Sequence, residues 1–230
     1  MQLACDAAYN KRSPMNVMQT IAIWAIPVLL AITLHEVAHG WVAKQYGDPT
    51  AAILGRLSLN PLRHIDPLGT VLVPIVLVVL VGFGFGWAKP VPVNFAQLRN
   101  PKRDMIWVAA AGPAANVVMA LGWALVMKLG LLMLDHSQWV AAPLILAGQA
   151  GIIINLVLCL VNLIPIPPLD GGRILAGLAP ARFLPALEKV EPLGMLIVFG
   201  LLALGGLSFI LHPLLQFFSS VIGRLFGIPV

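Results

Sequence analysis

The stretch Thr33-Leu34-His35-Glu36-Val37-Ala38-His39-Gly40-Trp41 lies inside an apolar run that extends from about Val17 to Val42. Two histidines four residues apart lie one turn above each other on a helix, so both imidazoles can reach one metal ion. The glutamate between them projects near the same edge, where it can serve a metal-bound water instead of the metal. The pattern therefore predicts a helix that carries His35 and His39 as metal ligands, with Glu36 beside them.

The surroundings of this pattern are unusual, because the apolar run is long enough to cross a hydrocarbon core of about 30 Å. Ionisable groups inside a membrane are energetically costly, so they indicate a functional site that faces the protein interior. The same pattern also arises by chance in soluble helices. In a membrane helix, however, an unpartnered glutamate and two histidines would be destabilising with nothing gained.

Composition sets the class of protein. Of the 230 residues, 60% are hydrophobic and 10% are charged, against about 25% charged in a typical globular domain. We predict an all-α polytopic membrane protein with about four to six transmembrane or re-entrant segments and short membrane-associated β segments. The formal charge of +5 sits in loops between apolar runs, which favours positive-inside anchoring over nucleic-acid binding. Cys5 and Cys159 provide neither a disulfide framework nor a cysteine-based zinc site.

Hydropathy and turn residues predict the other elements. Further helices are predicted at Met105 to about Leu134, Trp139 to Leu163 and Leu193 to Leu211, and a short strand or hairpin at Ile53 to Leu59.

The apolar stretch from Leu68 to Trp87 is predicted to re-enter the membrane with both ends on one side. Pro74 and the glycine series at 82, 84 and 86 disfavour a continuous helix. With re-entry, the two sides of the membrane hold ten and four Lys and Arg residues; with a full crossing they hold nine and five. The positive-inside rule favours the first split slightly.

A catalytic zinc usually takes three protein ligands, so one more is required. Asp170 is the best candidate, because it follows a proline-rich break after Leu163 and precedes two glycines that allow close backbone approach. Alternatively, Asp170 only caps a short helix that ends near Leu178. His64 and Asp66 are weaker candidates, since polar loop residues are more often merely solvated. Asn116 either joins helices or belongs to the site.

Two motifs together resemble the site-2 protease family of intramembrane zinc metalloproteases: His35-Glu36-x-x-His39, and Asn162-x-x-Pro165-x-Pro167-Pro168-Leu169-Asp170-Gly171. Three further segments resemble bacterial members of this family: 55–61 (GRLSLNP), 86–94 (GWAKPVPVN) and 112–116 (GPAAN). The resemblance extends from about residue 17 to residue 178. The sequence departs from the larger members because it lacks a PDZ insertion.

The resemblance implies one Zn²⁺ per chain, bound by His35, His39 and Asp170, with Glu36 as catalytic base. It also implies a polar site residue at Asn162 and a substrate-binding element around 87–94. Site-supporting or substrate-binding roles are accordingly expected for Asn116, Asn162, Lys89, Val91, Val93 and Asn94.

The expected partners are a transmembrane-helix protein substrate and the lipid bilayer, with no nucleic acid. The whole chain, 1–230, is expected to form one integral-membrane domain, with a catalytic core at about 17–178 and a C-terminal membrane segment at about 190–226. Location in the cell membrane is expected, with the active site toward the cytoplasm. Two other functions remain open: a membrane metal-ion transporter, which places histidines and carboxylates along an ion path, and a non-catalytic protein that binds membrane helices.

Overall fold

The computed structural model describes residues 17–64, 66–72, 76 and 89–230. The α-helices with described bounds are α1 (Val17–Gln45), α2 (Thr50–Ile53), α3 (Pro101–Leu132), α4 (Gln138–Asn162), α5 (Asp170–Leu178), α6 (Leu184–Ala203) and α7 (Gly206–Phe226). Short 3₁₀ turns lie at Pro61–Arg63, Phe95–Gln97 and Ala181–Phe183, and a π-helical turn lies at Pro67–Leu72.

Four of these helices are long and apolar enough to cross a membrane: α1, α3, α4 and α7. Large apolar side chains on the helices and their connections face outward, among them Trp139, Leu204 and Phe209, which are 92%, 86% and 83% exposed. Such surfaces are stable in lipid and not in water. The chain is therefore a multi-pass membrane protein, as its composition predicts.

The helix pair α3–α4 is the most extensive contact in the fold. Small residues allow the two backbones to approach closely: a Cβ atom added at Gly148 would lie 2.6 Å from Cβ of Met127, and one at Gly151 would lie 2.2 Å from the Trp123 ring. Close approach through small residues is how membrane helices gain packing contacts. Since α1 packs against both α3 and α4, this pair supports the helix that carries His35 and His39.

The predicted β segments are not supported, because the described residues contain no strand. The segment Lys89–Asn94 has no helical structure, but the backbone N–H groups of Val91 and Asn94 donate to the carboxylates of Glu36 and Asp48, at 2.7 and 2.6 Å. These donors are therefore not paired with a neighbouring strand. The predicted strand at 53–59 is also absent, since Ile53 ends α2 and the chain after it forms no ladder.

The single helix predicted from Leu193 to Leu211 is divided into α6 and α7. Gly205 between them has φ +73°, a left-handed conformation that ends a helix and that glycine adopts without steric penalty. The apolar character continues across this break, so hydropathy alone does not detect it. The membrane span lies farther along the chain than predicted, in α7.

Most of the stretch from Leu68 to Trp87 lies outside the described residues, so its predicted re-entry is judged only from its flanks. The backbone N–H of Lys89 donates to the carbonyl oxygen of His64 at 2.9 Å. The Arg56 guanidinium bonds the carbonyl oxygens of Arg63 and Lys89, at 2.6 and 3.0 Å. The two flanks of the stretch are thus held together at one place.

Candidate metal centre

Three side chains from distant parts of the chain converge on one point. His35 and His39 extend from α1, and Asp170 is the first residue of α5. The Nε2 atoms of the two imidazoles lie 3.0 Å apart, and each lies 3.3 Å from Asp170 Oδ2. Among the described residues this is a group of three ligand atoms that could hold a metal ion.

These spacings fit a tetrahedral ion. With metal–nitrogen and metal–oxygen bonds of about 2.0–2.2 Å, two ligand atoms of a tetrahedral zinc site are separated by roughly 3.3 Å. The observed 3.0, 3.3 and 3.3 Å match three corners of such a site. Two imidazole nitrogens and one carboxylate oxygen are also the donor set of catalytic zinc sites that leave a fourth position open.

The hydrogen bond that each imidazole makes through Nδ1 determines that its Nε2 atom is available to bind a metal ion. His39 Nδ1 donates to the carbonyl oxygen of Val108 at 2.7 Å, because a carbonyl can only accept. His35 Nδ1 donates to Asn116 Oδ1 at 2.6 Å. Both neutral rings therefore direct an Nε2 lone pair toward the third member of the group, Asp170.

The carboxylate of Asp170 completes an arrangement that requires a cation. Its Oδ2 is buried and has no hydrogen-bond partner in the described part of the chain. Lone pairs that face one another in a buried site repel unless a positive charge lies between them.

The alternative role of Asp170 as a helix cap is not supported. The N-terminal flanking residue of α5 is Leu169, and within the described ranges no backbone N–H of α5 donates a capping hydrogen bond to the Asp170 carboxylate. The following glycines do allow close approach: a Cβ added at Gly171 would lie 2.3 Å from Leu163 O, and one at Gly172 would lie 2.3 Å from Pro167 N.

Gly112 on α3 serves the histidines in the same way. A Cβ added there would lie 2.3 Å from His39 Nε2 and 2.5 Å from His35 Cε1. The absence of a side chain lets α3 pass directly against both imidazoles, so that Val108 and Asn116 reach their Nδ1 atoms.

Glu36 lies in the same cavity but is not part of the three-ligand group. Its Oε2 accepts the backbone N–H of Val91 at 2.7 Å, and its Oε1 has no hydrogen-bond partner among the residues that the structure describes. One carboxylate oxygen is thus anchored by the backbone, and no residue in the described ranges bonds the other.

The cavity has a volume of about 650 Å³. Of the residues predicted to support the site, Val91, Val93 and Asn162 line it. Asn162 Nδ2 donates to Leu158 O in its own helix. The structure does not place Lys89 and Asn94 on the cavity wall; Asn94 instead bonds Ala96 N through its side chain.

The two weaker metal candidates lie elsewhere. His64 is buried with Nε2 2.8 Å from Ser58 O, and Asp66 Oδ1 accepts the N–H groups of Leu68 and Gly69. Asn116 is fully buried beside His35, so its role is tied to the metal-ligand group as well as to helix packing.

Sequence reasoning missed two buried polar residues, Asp48 and Asn155. Asp48 Oδ2 accepts Asn94 N at 2.6 Å, and its Oδ1 accepts Thr50 N at 2.9 Å, so it ties the segment near Glu36 to the end of α1. Asn155 Oδ1 accepts Asn116 Nδ2 at 2.9 Å. The argument that singled out Asn116, a polar side chain in an apolar helix that needs a partner, applies equally to Asn155. Asp48 has no such signal, because Gly47-Asp48-Pro49 reads as an ordinary turn.

Comparison with curated proteins identifies the family. The chain is 34% identical to YwhC of Bacillus subtilis (strain 168), named as a candidate zinc metalloprotease, over 215 residues that cover 93% of this chain and 94% of the relative. The chain belongs to the site-2 protease family. The model of peptidase family M50 matches residues 127–205 of this chain, which include Asp170 but not the histidines of α1.

Two other relatives are named as candidate zinc metalloproteases Rip2. The Mycolicibacterium smegmatis protein is 30% identical over 198 residues, covering 85% of this chain and 72% of the relative. The Mycobacterium tuberculosis (strain Erdman) protein is 31% identical over 158 residues, covering 67% of this chain and 54% of the relative. No solved structure matches this chain significantly.

Proposed function

We propose that this protein is an intramembrane zinc metalloprotease that hydrolyses peptide bonds within or next to transmembrane helices of its substrates. One observation carries the proposal: a glutamate with one carboxylate oxygen that no described residue bonds shares a cavity with three converging atoms that could hold a metal ion. The zinc ligands are His35, His39 and Asp170, and Glu36 is the general base. Zinc is also the metal in the names of the relatives.

His35, His39 and Asp170 would hold the zinc ion, which would supply Lewis acidity for the scissile carbonyl and for the attacking water. Glu36 Oε1 takes a proton from the attacking water and then delivers it to the leaving amide nitrogen. The hydrogen bond from Val91 N to Oε2 holds the carboxylate in one orientation during both transfers. Asn116 and Val108 keep the two imidazoles oriented through Nδ1.

The segment Pro90–Val93 is proposed to bind the unwound substrate as an added strand. A helical substrate has its carbonyls bonded internally, so it must become extended before attack, and free backbone groups can then pair with it. Within the described ranges, the N–H and C=O of Val93 have no hydrogen-bond partner. The segment is anchored at its far side by Asp48 and near its start by Arg56, so it is preorganised for pairing.

Zinc-dependent cleavage tests the function. Purified wild-type protein in lipid vesicles is expected to contain zinc, to cleave a model transmembrane substrate, to lose activity on treatment with a chelator and to regain it with zinc. Because the three protein ligands form a single site for one metal ion, the fraction of activity lost should equal the fraction of zinc removed. Zinc binding without cleavage would favour the non-catalytic helix-binding protein, and zinc uptake into vesicles without cleavage would favour the transporter.

We also propose that the site lies toward the cytoplasm. With α1, α3, α4 and α7 as spans, one side of the membrane carries most of the 14 basic residues, and the positive-inside rule makes that side cytoplasmic. The basic residues on that side are Lys44, Arg56, Arg63, Lys89, Arg99, Lys102, Arg103, Arg173, Arg182 and Lys189. The bond between His64 and Lys89 supports re-entry of the stretch between them, with both ends on this side.

Thiol labelling measures this topology. Leu59→Cys and Gln97→Cys, each in a background with Cys5→Ser and Cys159→Ala, place single thiols at exposed positions before and after the stretch. Both should react with an impermeant reagent only from the cytoplasmic side. Labelling from opposite sides would make the stretch a full crossing and would remove Pro90–Val93 from the site.

A further inference from the structure

A chain of hydrogen bonds leads from α4 to the ligand helix through two asparagines. Asn155 Nδ2 donates to Gly151 O at 2.8 Å, Asn116 Nδ2 donates to Asn155 Oδ1 at 2.9 Å, and His35 Nδ1 donates to Asn116 Oδ1 at 2.6 Å. Both asparagines are 0% exposed. We propose that Asn155 is a positioning residue: it fixes the direction of this chain and thereby keeps His35 Nε2 free for zinc. The inference rests on the proposed function, in which His35 is a ligand.

The direction of the hydrogen-bond chain follows from its first acceptor, the carbonyl oxygen of Gly151. The carbonyl of Gly151 can only accept, so the NH₂ group of Asn155 faces it and Oδ1 of Asn155 faces Asn116. Asn116 must then present its NH₂ group to Asn155, which leaves Oδ1 for His35. A neutral imidazole that donates from Nδ1 carries its lone pair on Nε2, the atom that faces Asp170.

Without Asn155, the NH₂ group of Asn116 loses its acceptor on α4, and the orientation of the Asn116 amide is no longer fixed by that bond. Among the described residues, the NH₂ group of Asn116 would keep its contact with Ala31 O, which at 3.4 Å is a long hydrogen bond. The amide of Asn116 could then turn over and offer Nδ2 to the His35 ring. His35 would have to carry its proton on Nε2, where the metal binds, so zinc affinity would fall.

Helix packing offers a simpler role for the same contact. Asparagines in apolar helices commonly bond neighbouring helices, and a bond between Asn116 and Asn155 would join α3 to α4 whichever amide donated. Metal binding, unlike helix packing, depends on which of the two amides donates, because the donor determines whether Asn116 offers Oδ1 or Nδ2 to His35. The two roles therefore differ in what is measured: loss of helix packing lowers thermal stability, whereas loss of the donor direction lowers zinc affinity and alters the Co²⁺ spectrum.

The test compares Asn155→Leu with Asn155→Asp in the purified full-length protein. Leucine removes the acceptor. A neutral aspartic acid keeps it: its C=O accepts from Asn116, and its O–H donates to Gly151 O.

Three quantities are measured for each variant: zinc affinity by chelator competition, the absorption spectrum of bound Co²⁺, and the thermal unfolding temperature. Asn155→Leu should lower zinc affinity by about 10–100-fold, the usual effect of losing an outer-shell partner, and should alter the Co²⁺ spectrum. Asn155→Asp should preserve both.

A double substitution shows whether Asn155 acts through Asn116. In an Asn116→Leu background, Asn155→Leu should change zinc affinity little further, because the chain is already interrupted. Unchanged zinc affinity in Asn155→Leu, equal losses in the Leu and Asp variants, or additive losses in the double variant would each overturn the inference. If Asn155→Leu does not fold, Asn155→Ala removes the same acceptor. A wild-type protein that binds no zinc, or whose zinc is unaffected by Asp170→Ala, would instead refute the metal centre itself.

Discussion

Glu36→Gln is expected to leave zinc bound and to lower the rate of proteolysis by about 10²–10⁴-fold, the contribution of a positioned general base. Glutamine has nearly the same shape as glutamate, and its carbonyl oxygen can still accept the N–H of Val91, so the surroundings of the side chain are preserved. Only the capacity to take a proton at neutral pH is lost. The measurement pairs zinc analysis of the purified protein with the cleavage rate of a model transmembrane substrate.

Two outcomes would contradict this assignment. Loss of zinc in Glu36→Gln would make Glu36 a ligand, and wild-type cleavage in the zinc-loaded variant would move the base elsewhere. Asp66→Asn provides a matched control, because the Asp66 carboxylate, like that of Glu36, accepts backbone N–H groups but lies outside the cavity. That variant should retain both zinc and activity.

Asp170→Ala is expected to remove zinc and activity together. The loss of zinc affinity should exceed the about 10–100-fold that follows loss of an outer-shell partner, because a ligand and the negative charge of the site are removed at once. Two imidazoles would remain, without the carboxylate that faces both of them at 3.3 Å. Zinc affinity by chelator competition and the cleavage rate are measured on the same sample.

The controls are residues of the same chemical types at the surface. Asp135→Ala, His136→Ala and His212→Ala change exposed side chains and should leave zinc and activity unchanged. Full activity in Asp170→Ala would mean that the third ligand lies elsewhere in the chain. Since α5 is a separate short helix, thermal unfolding of the variant distinguishes loss of the ligand from loss of the fold.

Local patterns were sufficient for several features of this protein. The four-residue spacing of His35 and His39 depends only on the period of a helix, and the apolar runs around α1, α3 and α4 depend only on length and hydropathy. Asp170 was also found as the third member of the group, because a proline-rich break followed by two glycines is a local signal. These features lie within single segments, so no knowledge of neighbouring segments was needed.

Other features arise only where distant segments meet. Val91 N reaches a carboxylate 55 positions earlier in the chain, and Asn116 bonds His35 across 81 positions. Such pairings use ordinary backbone and amide groups that carry no pattern of their own, so the sequence does not indicate that the segment after Lys89 bonds Glu36 and Asp48. Hydropathy also does not predict the division between α6 and α7 at Gly205, because the residues on both sides of the break are apolar. Hydropathy and spacing thus determine which helices form and which carry ligands. The packing of α3 and α4 against α1 decides the directions of the hydrogen bonds, because a donor and an acceptor are paired only once both helices are in place.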